Sequence, residues 1–168
     1  DINETNITTT VEEYKKIGDV KGYKVDVSDS KQVKEVADRT IKECGNIDIV
    51  INCAGIVTSN STFDRLTTDE IERTIKINTI APMIVAQQFF PAMIERNHGH
   101  VCNIASAAGM ISNPRMSVYA ASKWGVIGWS DSVRIELKQM RSKVHFTTIA
   151  PYFINTGMFD GVRSRFFP

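Results

Sequence analysis

The sequence predicts an α/β domain built on a doubly wound parallel sheet, and three features of the chain predict it. Short runs rich in valine and isoleucine, such as Ile47 to Asn52 and Val144 to Ala150, are bounded by turn residues and read as buried strands. Longer stretches with apolar residues three or four apart read as helices, and the two kinds alternate along the chain. Alternation of this sort implies right-handed crossovers between parallel neighbours, with helices over both faces of the sheet.

Taken in order, the pattern predicts a helix over Thr8 to Ile17, a strand from Gly22 to Asp26, a helix from Ser30 to Cys44 and a strand from Ile47 to Asn52. Ser28 or Ser30 is placed to cap the second helix, with Asp29 favourable near its positive end. Gly55 to Leu66 is rich in threonine, serine and asparagine without a period, and reads as a loop on the carboxyl side of the sheet. A long helical region from Thr68 to Arg96 should bend or break at Pro82 and Pro91, which cannot continue the hydrogen-bond ladder. A strand from His98 to Ala105, a helix from Ser117 to Met140 and a strand from Val144 to Ala150, stopped by Pro151, complete the series. No repeat, low-complexity tract or linker divides the chain, so one domain is expected over residues 1–168.

Composition excludes several classes of function. With 20 lysines and arginines against 19 aspartates and glutamates, the net charge of +1 gives no field to attract nucleic acid or another polyanion. The 168 residues, 42% of them hydrophobic, suffice for a globular core. Cys44, Cys53 and Cys102 are odd in number and lie in or beside apolar runs, which suits buried, reduced thiols in a cytosol-like compartment. The longest apolar run, Ile80 to Phe90, is interrupted by Gln87 and Gln88 and falls short of the roughly 20 residues that a membrane span needs. His98, His100 and His145 have no partners at metal-ligand spacing and read as surface or turn residues. The chain starts at Asp1 without methionine and stops abruptly after Phe166, Phe167 and Pro168, so a longer protein is expected on both sides.

The chemistry concentrates in a few residues. Tyr119 and Lys123 are four apart in a predicted helix, which puts a phenol and an ammonium on one face, a turn apart. A tyrosine titrates near pH 10, too high for ready proton exchange near neutrality, and a nearby cation stabilises the phenolate and lowers that value. Ser106 ends the strand at Asn103-Ile104-Ala105, thirteen positions before Tyr119, on the side where open α/β sheets bind ligands. The strand at Ile47 to Ile51 runs into Asn52-Cys53-Ala54-Gly55, whose small residues let backbone approach a flat cofactor closely.

These residues resemble the short-chain dehydrogenase/reductase superfamily. The family's Asn-Asn-Ala-Gly motif stands here as Asn52-Cys53-Ala54-Gly55, and its Tyr-x-x-x-Lys as Tyr119 to Lys123. Asn78 in Lys76-Ile77-Asn78-Thr79, Ser106, Asp26-Val27 and Pro151 followed by Thr156 match further positions. The resemblance implies a Rossmann-like domain, here a partial one lacking the first strand-helix unit and the C-terminal end. It implies an NAD(P)-dependent enzyme that passes a hydride between the cofactor and an alcohol or ketone. Tyr119 would be the general acid or base, Lys123 would lower its pKa and bind the nicotinamide ribose, Ser106 would hold the substrate oxygen, and Asn78 would steady a relay water. On the cofactor side, Asp26 and Val27 match adenine contacts, and Asn52, Ala54 and Gly55 the wall beneath the adenosine. Ile154 and Thr156 match the positions that hold the carboxamide. Asp1 falls at the end of the family's second strand, where a carboxylate accepts the ribose hydroxyls and repels a 2'-phosphate, so NAD is expected over NADP.

Two positions depart from the family pattern, Cys53 for the usual asparagine and Tyr152 for the usual glycine, and the glycine-rich phosphate fingerprint is not in this chain. Tyr152, Phe153, Met158, Phe159, Phe166 and Phe167 form an apolar group that suits either lid packing or a lipophilic substrate. The stretch from Pro151 to Phe159 resembles the branch containing retinol dehydrogenases and several 17-beta-hydroxysteroid dehydrogenases. The expected substrate is therefore a lipophilic steroid-, retinoid- or lipid-like alcohol or ketone. A homodimer or homotetramer pairing through Thr68 to Arg96 and Ser117 to Met140 is expected, in the cytoplasm. Any attachment to the endoplasmic reticulum or lipid droplets would come from segments outside this chain. A sugar-nucleotide epimerase and a non-catalytic dimerising scaffold are the alternatives, and the Asn52 to Gly55 motif and the Ser106 spacing disfavour the epimerase.

Overall fold

A computed structural model describes residues 1–154. The first helix, α1, spans Glu4–Tyr14 and begins earlier than the sequence predicts, because the Asn3 side chain accepts from the amides of Thr5 and Asn6 and starts the helix there. Residues 22–26 do not form the expected strand. A strand needs a ladder, and this segment has only two backbone bonds to Asp1, between Val25 N–H and the Asp1 carbonyl (2.9 Å) and between the Asp1 amine and the Tyr23 carbonyl (3.3 Å). Helix α2 spans Ser30–Cys44 as expected, but the cap is Asp29 itself, whose carboxylate accepts from Lys31 and Gln32 N–H, and not Ser28 or Ser30. At its far end Glu43 takes hydrogen bonds from Arg39, Lys21 and Tyr23, which tie the helix to the segment before it and hold the Glu43 carboxyl down at about 2.

Among the described residues, three strands, β1 (Ile49–Asn52), β2 (His100–Ile104) and β3 (His145–Ile149), form a parallel sheet in the order β1-β2-β3. Between β1 and β2 lie α3 (Thr68–Ile75), a π-helical turn (Lys76–Ile80) and α4 (Ala81–Arg96). The region stays helical throughout, and its irregularity precedes the prolines. Pro82 has no N–H to give the Asn78 carbonyl, and the widened turn, in which Ala81 N–H bonds Lys76, absorbs that mismatch. Pro91 is carried inside α4. Taken as one helix, Thr68–Arg96 has 29 residues and is long and apolar enough to cross a membrane by length and composition. Gln87 and Gln88 break the apolar run within it, so the sequence pattern alone does not suggest a span; in the fold α4 covers β1 and β2. Helix α5 (Ser117–Gln139) follows a single 3-10 turn at Ala107–Gly109 and packs on β3.

The core lies between one face of the sheet and helices α4 and α5. Val50, Val101 and Phe146 alternate inward along the strands to meet Ala86, Met93 and Leu137. Phe146 also takes the ring edges of Phe90 and Trp129 at 5.8 and 5.2 Å. Gly99 enters β2 at φ +151 with the Met93 side chain against it, a place no other residue fits. On the opposite face, among the described residues, Ile49, Ile51 and Ile149 stay open to solvent at 62, 63 and 47%. The cysteines are free thiols but not buried: Cys44 and Cys53 are exposed and Cys102 is partly so, because Cys53 leaves the end of β1 and Cys102 points to that open face.

Candidate active site

Three chain segments converge at the carboxyl ends of β1 and β2. The extended backbone of Ser106 leaves β2 and turns into the 3-10 helix, its hydroxyl accepting from Ala108 N–H at 3.2 Å. Gly109 in that turn lies against the backbone of Lys123, so the turn docks on the first part of α5. Tyr119 and Lys123, one turn apart in α5, are both buried, and the Lys123 ammonium stands 5.7 Å from the centre of the Tyr119 ring. Ser106 and Tyr119 line one open-sided pocket, flanked by Ile111, Met116, Tyr152 and Phe153.

The charges in this site are set mainly by burial. The Tyr119 phenol stands above its ordinary value because burial disfavours the phenolate, and a hydrogen bond with Ser106 opposes that rise. Lys123 adds no downward pull to this balance, and its ammonium donates to the Ile104 carbonyl at 3.0 Å. Burial moves Lys123 the other way, lowering its pKa, with Cys53 opposing that fall.

Asn78, only 1% exposed, sits in the π-helical turn. Its carbonyl accepts from Ile56 N–H at 2.8 Å, and its amide donates to the Ile56 carbonyl at 2.9 Å and to Ser122 Oγ at 3.1 Å. Ser122 in turn donates to the Tyr119 carbonyl at 2.6 Å. Ser122 therefore joins the loop after β1 to the helical turn that carries Tyr119. Reading the sequence did not single out Ser122, although its place between Tyr119 and Lys123 was a signal that it shared their turn. Asn103 was also missed: it accepts from the Asn52 amide at 2.8 Å and donates to Ser130 at 2.9 Å.

The residues expected on the cofactor side fall in two groups. Val27, Asn52 and Ala54 line a groove beside β1, although the Asn52 amide is turned inward to Asn103 and the Pro82 carbonyl. At Gly55 a Cβ would stand 3.5 Å from both Asn78 Oδ1 and Lys123 Nζ. The loop after β1 therefore passes beside both the ammonium and the Asn78 carboxamide. Asp26 accepts from Ser28 N–H at 2.9 Å within a turn, and the Asp1 carboxylate accepts from Asn3 N–H at 2.8 Å in an exposed setting. Ile154 is exposed at the end of the described chain, and Thr156, Met158, Phe159, Phe166 and Phe167 lie outside the described residues. Among the described residues no three histidines, cysteines or carboxylates cluster as a metal site, and His100 contacts Thr147 at 2.7 Å.

Comparison with known proteins agrees with this geometry. A family model described as short chain dehydrogenase matches residues 1–165. The chain is 38% identical over 169 residues to short-chain dehydrogenase/reductase family 16C member 6 of Bos taurus, a match covering 99% of this chain and 53% of that protein. It is 39% identical over 147 residues to epidermal retinol dehydrogenase 2 of Mus musculus, covering 87% of this chain and 47% of that protein. The chain thus spans about half the length of the curated relatives it matches. Among solved structures, a short chain dehydrogenase/reductase from Burkholderia phymatum in complex with NAD superposes with a TM-score of 0.90 at 27% identity, covering 98% of this chain and 60% of that one. A metagenomic short-chain oxidoreductase in complex with NADP gives 0.83 at 28% identity, covering 90% and 68%.

Proposed function

Because the chain belongs to the short-chain dehydrogenase family, we propose that it carries the reaction centre of an oxidoreductase that moves a hydride between a nicotinamide cofactor and a lipophilic alcohol or ketone. The observation that carries this reading is the convergence of Ser106 and Tyr119 on one pocket, with Lys123 and Asn78 meeting beside them at Gly55.

The cofactor, when bound, supplies or accepts the hydride. Tyr119 gives its phenolic proton to the carbonyl oxygen in reduction and takes one from the hydroxyl in oxidation. Burial keeps the phenol protonated at neutral pH, which suits the acid role. Ser106 holds the substrate oxygen within about 3 Å of the phenol, the reach proton transfer requires. Lys123 binds the nicotinamide ribose and favours the phenolate as the proton leaves. Asn78 fixes both polar groups of Ile56 and so shapes the place where a water would link Lys123 to solvent.

Asn52, Ala54 and Gly55 would form the wall beneath the adenosine, with Asp26 and Val27 at the adenine, and Ile154 and Thr156 would hold the carboxamide. The Asp1 carboxylate favours NAD by accepting the ribose hydroxyls and repelling a 2'-phosphate. The apolar walls at Ile111, Met116 and Phe153 support a lipophilic substrate, and relatives named as retinol dehydrogenases agree with that. Exposed Ile80 and Trp124 on the α4 and α5 side support pairing of two copies through those helices.

The test is nicotinamide absorbance with the full-length protein, NAD and NADP, and a panel of steroids, retinoids and simple ketones. Tyr119→Phe keeps the ring and removes the proton, and is expected to lower kcat by about 100-fold or more. Turnover at the wild-type rate in that variant would overturn the assignment of Tyr119.

A further inference from the structure

The pocket that holds Ser106 and Tyr119 is apolar over most of its wall, with Ile111 and Met116 on one side and Phe153 on another. Asn113 interrupts that wall. It lies in the loop between the 3-10 turn and α5, half-buried, and its carboxamide has no hydrogen-bond partner among the described residues. Elsewhere in this site the asparagine amides are committed: Asn52 to Asn103 and Pro82, and Asn78 to Ile56 and Ser122. Among the described residues no buried side-chain polar atom lacks a partner, so the Asn113 carboxamide meets solvent in the open pocket. A lipophile that displaces this water leaves it unpaired unless the ligand itself pairs with it, and a carboxamide can both donate and accept.

Resting on the lipophilic reading above, we propose that Asn113 is a specificity-determining residue that hydrogen-bonds a second oxygen of the substrate, away from the carbon that exchanges hydride. The substrate class is then a bifunctional lipophile, a ketone or alcohol carrying a remote hydroxyl or carbonyl, in preference to one with a single oxygen. Sites built to pair a substrate oxygen discriminate strongly against analogues lacking it, because the protein group is then left buried and unpaired.

The experiment uses the full-length protein, the cofactor it accepts, and three ketones on one polycyclic skeleton: androstanone, its hydroxylated derivative and the corresponding dione. Wild-type protein is expected to prefer both bifunctional ketones over androstanone by about tenfold or more in kcat/KM. Asn113→Leu brings both ratios close to unity. Asn113→Asp keeps an acceptor and loses the donors, so it retains the preference for the hydroxylated ketone and loses that for the dione, a split that a merely structural role would not produce. Turnover of androstanone at the same kcat/KM as the others, or ratios unmoved by Asn113→Leu, overturns the role of Asn113 and leaves the lipophilic reading standing. Turnover of none of the three while a retinoid reacts overturns the role of Asn113 alone, and turnover of neither the three ketones nor a retinoid overturns both.

Discussion

Lys123 holds its charge where only 5% of its surface is exposed, with one carbonyl, that of Ile104, to receive it. Burial favours the neutral amine and lowers its pKa from 10.5. Between that lowered value and 10.5 the unfolded chain binds more protons than the folded one, so this residue makes stability rise with pH across that window. Lys123→Met is expected to flatten the slope of stability against pH there while abolishing turnover. Urea unfolding at several pH values reads it, and an unchanged slope would refute the burial argument. At this scale the sequence was most legible for Tyr119, Lys123 and Ser106, because helical spacing and a strand end place such residues almost by themselves. It was least legible for pKa, since spacing alone does not say that Lys123 turns to Ile104 and that burial governs Tyr119.

Two short elements position that chemistry. The π-helical turn swings Asn78 inward to join Ile56 and Ser122, and the 3-10 turn brings Ser106 to Tyr119 by resting Gly109 on α5. A Cβ at Gly109 would lie 2.8 Å from the Lys123 carbonyl carbon and oxygen and 2.7 Å from Ile127. Since backbone cannot yield as a flexible side chain can, Gly109→Ala is expected to cost about 1 to 3 kcal/mol. Denaturant titration measures that cost, and a variant as stable as the wild type would show that the turn has room to retreat. Prolines in the sequence correctly marked an irregular helix but misplaced the irregularity. Pro82 is accommodated by the turn before it, and that accommodation depends on where Asn78 finds its partners.

Across the whole molecule, α4 covers β1 and β2 and α5 packs on β3, while Ile80 in the π-helical turn and Trp124 and Ile135 on α5 stay exposed. If these helices pair two copies, Trp124→Glu in the full-length protein should shift the oligomer toward monomer without altering its fold. Light scattering after gel filtration decides it, and an unchanged mass would remove Trp124 from the interface. By itself, the sequence determined the parallel α/β architecture, the span of α2 and the placing of Tyr119 and Lys123 one helical turn apart, because hydrophobic period and local spacing are properties of neighbours in the chain. The tertiary structure alone decided that residues 22–26 make no ladder, that Cys53 is exposed, and that Asn78 reaches Ser122 across 44 positions. Those outcomes turn on which distant backbone and side-chain groups come within hydrogen-bonding reach, and such partners are fixed by packing.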